Sequence, residues 1–325
     1  MQILNNREEY FASGALNCSL LKDFEADSSS VYNREPKTSS ALSSGSAVDT
    51  LIFDGLDVFN EQFFVFSCPV PTASTLQLAE WIIPKVLSGE HFNEELCLEG
   101  VRELGLWGSI KDTTKIISKF DQVFKDYVNF SIEAGNKTIL TAEQGDKTKR
   151  GVTTLKLHKY TSSYFTPERS DISILFQLPI EFTYLSWKMK AMLDFVVIDH
   201  SLKTITPGDL KTMEEIPLSF RKNVVKYRYD LQAEIYKEAI KAFRNELYSD
   251  YTITDEFIFV VYSFARPEHP YVYKMNVDKF RKQYNSKSFG QLRDLTSILQ
   301  DWDTHKLLQD FSYPLEHIIK GYIDL

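Results

Sequence analysis

KAMLDFVVIDHSLKTITPGDLKTM, residues 190–213, holds two apolar runs, and each carries a carboxylate at or near its end. The first reaches Asp194; the second ends in Gly208-Asp209-Leu210-Lys211. Both runs are rich in β-branched and aromatic residues, which favours strands. His200-Ser201 supplies a turn between them, so the stretch reads as a hairpin with Asp194 across from the Asp209 end. Strand side chains alternate faces. Asp209 and Lys211 therefore point to one side and Leu210 to the other, with the Leu210 carbonyl left near the polar side.

Two carboxylates this close repel unless a cation or a proton lies between them. A hard divalent cation is one solution: Mg²⁺ takes one or two carboxylates, keeps several waters and can hold a phosphate oxygen. Asp194, Asp209 and the Leu210 carbonyl are the candidate ligands, and Lys211 is placed to orient or deprotonate a water, or to stabilise charge on a phosphate. An acid-x-Lys triplet also arises by chance at solvent-facing strand ends. The other such triplet, Glu35-Pro36-Lys37, has no strand before it and no partner carboxylate.

The segment SFRKNVVKYRYDLQAEIYKEAI (219–240) reads as part of one long helix, roughly Leu218 to Leu247, opened by Pro217. At about 100° per residue, Arg221, Arg228, Gln232 and Tyr236 fall within about 80° of one another. Two guanidiniums, an amide and a phenol on one stripe suit phosphate and sugar contacts; a solvated polar face gives the same pattern.

Around this centre the chain is organised in three parts. Residues 1–170 read as mostly helical: SLLKDFEAD, then the polar connection SSSVYNREPKTSS, a helix from about Ser40 through Phe53, three helices within 75–133, and one from Thr141 to about Thr166, broken near Gly151. Residues 171–276 read as sheet, with ISILFQLPIEFTYL and KAMLDFVVID followed by KTITPGDLKTM, EFIFVVYSF and YVYKMNV. Residues 277–325 are helical again. The expectation is a single α/β domain: a central mixed β-sheet flanked by helices, with a helical N-terminal elaboration.

Composition bounds the function. The 325 residues carry a net charge of −8, so any nucleic-acid contact depends on local basic clusters such as Lys147, Lys149 and Arg150, or Arg221, Lys222, Lys226 and Arg228. The longest apolar runs are too short for a membrane span, and the start lacks the pattern of a secretory signal. Three scattered cysteines fit neither a disulfide framework nor an iron–sulfur cluster, and suit a reducing cytoplasm. No phosphate-binding loop suggests a nucleotide cofactor, and the six histidines form no metal-spaced pair.

The order of these features resembles the PD-(D/E)xK nuclease superfamily, in its RecB-like and phage lambda-exonuclease or RecE-like branch. The resemblance is carried by Asp194 at a strand end, Asp209-Leu210-Lys211 on the next strand, and Gln232-Ala-Glu-Ile-Tyr236 on a helix. Upstream, Tyr10-Phe11-Ala12-Ser13 with Leu20-Leu21-Lys22 is similar to the family's opening. The stretch Ser39 to Asp49 is similar to its early G-x-A-x-H helix, with Asp49 where histidine is usual. The match covers residues 10–53 and 180–240.

The resemblance implies a restriction-endonuclease-like core and a Mg²⁺- or Mn²⁺-dependent DNA exonuclease acting on linear duplex ends in phage-type recombination or repair. Asp49, Asp194, Asp209 and Leu210 would hold metal. Lys211 would position water, and Arg221, Arg228, Gln232 and Tyr236 would hold DNA. Glu181 is similar to a glutamate on the preceding strand of the family; it and Lys190 are accessory candidates, or pair with each other structurally. The same resemblance implies a single-strand annealing partner, a ring-like homo-oligomer, and the host cytoplasm if the chain is phage-encoded. A single-strand or flap nuclease, and a non-catalytic DNA-binding protein on the same fold, are the alternatives.

Overall fold

The computed structural model of the protein describes every residue except 33–39, 67–68, 168, 288–290, 322 and 324–325. Part of the polar connection expected at 28–40, and Ser39 at the head of the family-like helix, lie outside the described residues. The chain forms two compact units, Met1–Ala41 with Arg150–Leu325, and Leu42–Lys149.

The N-terminal segment holds β1 (Gln2–Ile3), α1 (Arg7–Ala12) and α2 (Cys18–Ala26). Each helix starts at an asparagine that accepts from a backbone amide three residues on: Asn6 from Glu9 and Asn17 from Leu20.

The smaller unit begins within α3 (Ser40–Asp49). The helix expected through Phe53 changes pitch there: Thr50–Asp54 forms a wider π-wound turn. It gives way at Gly55, whose φ of +91° favours glycine. There follow α4 (Gly55–Gln62), β2 (Phe63–Phe66), α5 (Ala73–Leu87), α6 (Glu94–Glu103), the short α7 (Thr113–Ile117), α8 (Gln122–Ala134), β3 (Thr138–Thr141) and α9 (Ala142–Leu157), whose residues from Arg150 on, Gly151 among them, belong to the larger unit. Leu78, Ile82, Cys97, Phe124 and Val128 form the core of this unit. The parallel pair β2–β3 was not legible in FFVF and TILT, runs too short to show a period. The break expected at Gly151 is absent. Glycine there serves close packing, because a Cβ would meet the Tyr262 ring at 2.8 Å.

The larger unit continues with α10 (Ser162–Phe165), β4 (Ile172–Tyr184), β5 (Trp187–Asp199) and β6 (Thr204–Met213). After β6 come α11 (Phe220–Lys226), α12 (Tyr229–Leu247), β7 (Thr252–Ile253), β8 (Phe257–Ser263), β9 (Tyr271–Met275), α13 (Val277–Asn285), α14 (Leu295–Leu308) and α15 (Leu315–Lys320). Seven strands form one mixed sheet in the order β1-β4-β5-β6-β8-β9, with β7 beside β6. The β4–β5–β6 meander is antiparallel, whereas β6 and β8 are parallel. A parallel pair needs a crossover, and α11 with α12 supplies it. Strand β8, central and buried along its whole length, reads as the unbroken apolar run FIFVV. Helices α2, α12 and α14 share a core with the sheet through Leu21, Phe24, Ile235, Phe243, Ile298 and Trp302. No helix among the described residues is long and apolar enough to cross a membrane.

The single helix expected over 218–247 is a correction. It breaks at Arg228, whose backbone is left-handed at φ +49°. The ring of Phe220 on α11 stacks on Tyr229 at the head of α12, at 5.5 Å, and Arg228 is gripped by Glu25, by Asp230 and by the carbonyl of Arg293. Neither Gly nor Pro marks this break, which tertiary packing imposes.

Candidate active site

Strand β6 brings the central pair together as its alternation requires. Lys211 Nζ lies 2.5 Å from Asp209 Oδ2. Asp209 is only 2% exposed, so its charge depends on the groups beside it. Gln232 Nε2 on α12 donates to Asp209 Oδ1 at 2.6 Å. The preceding residue is glycine for a steric reason: a Cβ on Gly208 would fall 2.1 Å from the buried Phe195 ring across the β5–β6 ladder.

Asp194 and Asp209 fall opposite one another, one step past the Phe195–Gly208 pair, where the β5–β6 ladder opens. In that opening Asp194 takes a backbone donor for itself: Leu210 N donates to Asp194 Oδ2 at 2.9 Å. Gln177 on β4 donates to Oδ1 at 3.2 Å. Burial disfavours the Lys211 ammonium, yet the charges of Asp209 and Asp194 outweigh it and hold the amine well above its ordinary range. The Tyr236 phenol is pushed well above its usual value by burial, with Asp209 and Asp194 adding to the effect. Gln232 and Tyr236, one turn apart on α12, thus converge on the two carboxylates.

Three residues without a role in the sequence reading belong to this cluster. Lys22 on α2 lies 3.4 Å from Gln232 Oε1. Its ammonium and that of Lys211 lie over the ring of Tyr229, at 5.2 and 4.9 Å. Burial pulls Lys22 below its ordinary value, Cys18 opposing and Lys211 reinforcing the shift. Burial pushes the Cys18 thiol up, so it serves as a small apolar neighbour rather than a thiolate. Lys22 stands in the Leu20-Leu21-Lys22 stretch similar to the family's opening, but nothing in its neighbours in sequence gave it a role at this cluster.

The other candidates of the larger unit make contacts of their own. Arg221 is exposed on α11 with Lys222 and Lys226. Arg228 is held inside the fold by the contacts that break the helix, and so is not on a common stripe with Arg221 and Gln232. Lys190 is buried, its ammonium donating to the carbonyls of Tyr10 and Ser13 at 2.7 and 2.6 Å. Glu181 accepts from Ser13 Oγ at 2.5 Å. These two neighbours in the β4–β5 register bolt the N-terminal segment to the sheet. Asp49 closes α3 in the smaller unit, half-buried, just before the π-wound turn.

The donor chemistry fits a hard cation: two carboxylates and a strand carbonyl are oxygen ligands of the kind Mg²⁺ accepts with water completing its shell. Among the described residues no group of three His, Cys, Asp or Glu side chains is gathered for a metal, so water or substrate oxygens would complete such a site.

No protein-family profile matches the chain, and no curated protein does. Among solved structures it is similar to a chain from Eubacterium rectale described as a "Putative exonuclease". The two are 14% identical, the likeness covers 92% of this chain and 86% of that one, and the TM-score is 0.48.

Proposed function

We propose that this protein is a metal-dependent nuclease of the PD-(D/E)xK kind that hydrolyses phosphodiester bonds of linear DNA from its ends. The observation that carries the reading is the buried Asp209 held between Lys211 and Gln232, with Asp194 opposite it at the mouth of an opening strand pair. Purely structural ion pairs perturb charges in the same way. What favours chemistry is that two carboxylates converge on one point.

In this reading Asp194, Asp209 and the Leu210 carbonyl hold a Mg²⁺ or Mn²⁺ ion, with water or substrate oxygens completing its shell. The ion, when bound, supplies Lewis acidity toward the phosphate. Lys211 donates a hydrogen bond toward the attacking water or the developing phosphate charge. Gln232 keeps Asp209 in one orientation, and Tyr236 limits water around the pair. Arg221, with Lys222 and Lys226, meets backbone phosphates, while Arg228 holds α12 in place.

The test is digestion of linear duplex DNA, labelled at each end in turn, by purified protein with and without Mg²⁺. Metal-dependent release of short products from one labelled end, lost in Asp209→Asn, is expected. Wild-type protein that binds the duplex but releases nothing with either metal would overturn the assignment.

A further inference from the structure

Six non-glycine residues among those described have positive φ. Five of them lie outside strands and helices: Trp107 and Gln309 follow α6 and α14, Leu185 and Lys203 turn the two hairpins, and Arg228 separates α11 from α12. The sixth, Gln177 at φ +47°, lies in the middle of β4. A left-handed residue inside a strand is strained and costs stability.

The place of this strain is specific. The β4–β5 ladder keeps one register from Ile172–Asp199 to Tyr184–Trp187, and its interior omits one pair, Gln177 with Asp194. Both strands change phase there. In β5, Met189, Ala191 and Leu193 belong to the core beneath α12, and then Val196 and Ile198 do. In β4, Leu175 packs against that core before Gln177, and Leu178, Ile180 and Phe182 belong to it afterwards. Regular alternation would set Leu193 and Asp194 on opposite faces. The slip lets Leu193 remain in the core while the Asp194 carboxylate acts on Lys211 and Tyr236.

We infer that Gln177 is a positioning residue for Asp194: its strained backbone carries the phase slip, and its amide fixes the carboxylate delivered by that slip. Asp194 is then gripped from both neighbouring strands, by the Gln177 amide on Oδ1 and by Leu210 N on Oδ2. The inference rests on the nuclease reading of the site and adds a residue that touches neither DNA nor the reacting atoms.

Two variants separate the backbone from the amide. Gln177→Gly relaxes the left-handed residue and removes the donor; Gln177→Met keeps length and shape and removes only the donor. Thermal unfolding, calorimetric titration of Mn²⁺ without DNA, and single-turnover cleavage are measured for both. The glycine variant is expected to unfold at the same temperature as wild type or higher. Both variants should lose about tenfold or more in metal affinity and cleavage rate, with KM for DNA little changed. Wild-type metal affinity and rate in either folded variant overturn the inference. A wild-type protein that neither binds Mn²⁺ nor cleaves DNA instead defeats the nuclease reading, and that outcome is visible before any variant is made.

Discussion

The ammonium of Lys22 lies 3.4 Å from the amide oxygen of Gln232, whose amide nitrogen donates to Asp209. The amide has one orientation that satisfies both neighbours, oxygen toward the cation and nitrogen toward the carboxylate. Lys22 forms no ion pair among the described residues, so an arriving phosphate oxygen would find a cation not already neutralised. Lys22→Ala should weaken DNA binding in chelator. It should also lower the slope of log affinity against log salt by about one, read by fluorescence anisotropy over a salt series. An unchanged slope would place Lys22 in a supporting role only.

Gln232→Ala leaves Asp209 Oδ1 buried without its donor. The loss should cost about 1–3 kcal/mol in stability, measured by urea unfolding, and cleavage should fall with it. A variant as stable as wild type would mean that water replaces the amide at no cost.

Asp230 is fully buried between Arg281, 2.7 Å away, and Arg228, 3.0 Å away. Arg281 also reaches Glu234 at 2.6 Å, tying α12 to α13. Removing the central carboxylate leaves Arg281 only Glu234 and Arg228 only Glu25 as carboxylate partners among the described residues, so Asp230→Ala should destabilise the fold by about 3–5 kcal/mol. Chemical denaturation that gives less than about 1 kcal/mol would mean that water reaches the pair.

Gly208→Ala should be costly for a steric reason. The new methyl group meets the Phe195 ring, and overpacking of this kind costs about 1–3 kcal/mol. Because Asp209 follows directly, cleavage should fall further than stability alone explains; equal rates for the folded variant and wild type would show that β6 absorbs the shift.

The hairpin of 190–213 was legible from its two β-rich apolar runs and the turn between them, and Asp209 and Lys211 obey period two. Helical spacing placed Gln232 and Tyr236 on one face of their helix, but what that face meets was not legible from spacing. The phase slip at Leu193-Asp194-Phe195 is written in the sequence as two apolar neighbours of the aspartate, but a single run of that kind also reads as a buried strand. The break before α12 was hidden, since it depends on Glu25 and Arg293, both distant in sequence. Lys22 was hidden for the same reason: its partner Gln232 is 210 residues away.

The bolt from Lys190 to the carbonyls of Tyr10 and Ser13 has a consequence for how the chain is made. Those contacts span 180 and 177 residues. During synthesis the first 26 residues leave the ribosome long before the strand that holds them exists. They remain undocked until β5 emerges, and Lys22 meets Gln232 only after α12 follows. Such long-range closure is slow. A nascent chain stopped short of α12 therefore has no assembled Asp209–Gln232 pair, and the cluster around it exists only once most of the protein has been translated.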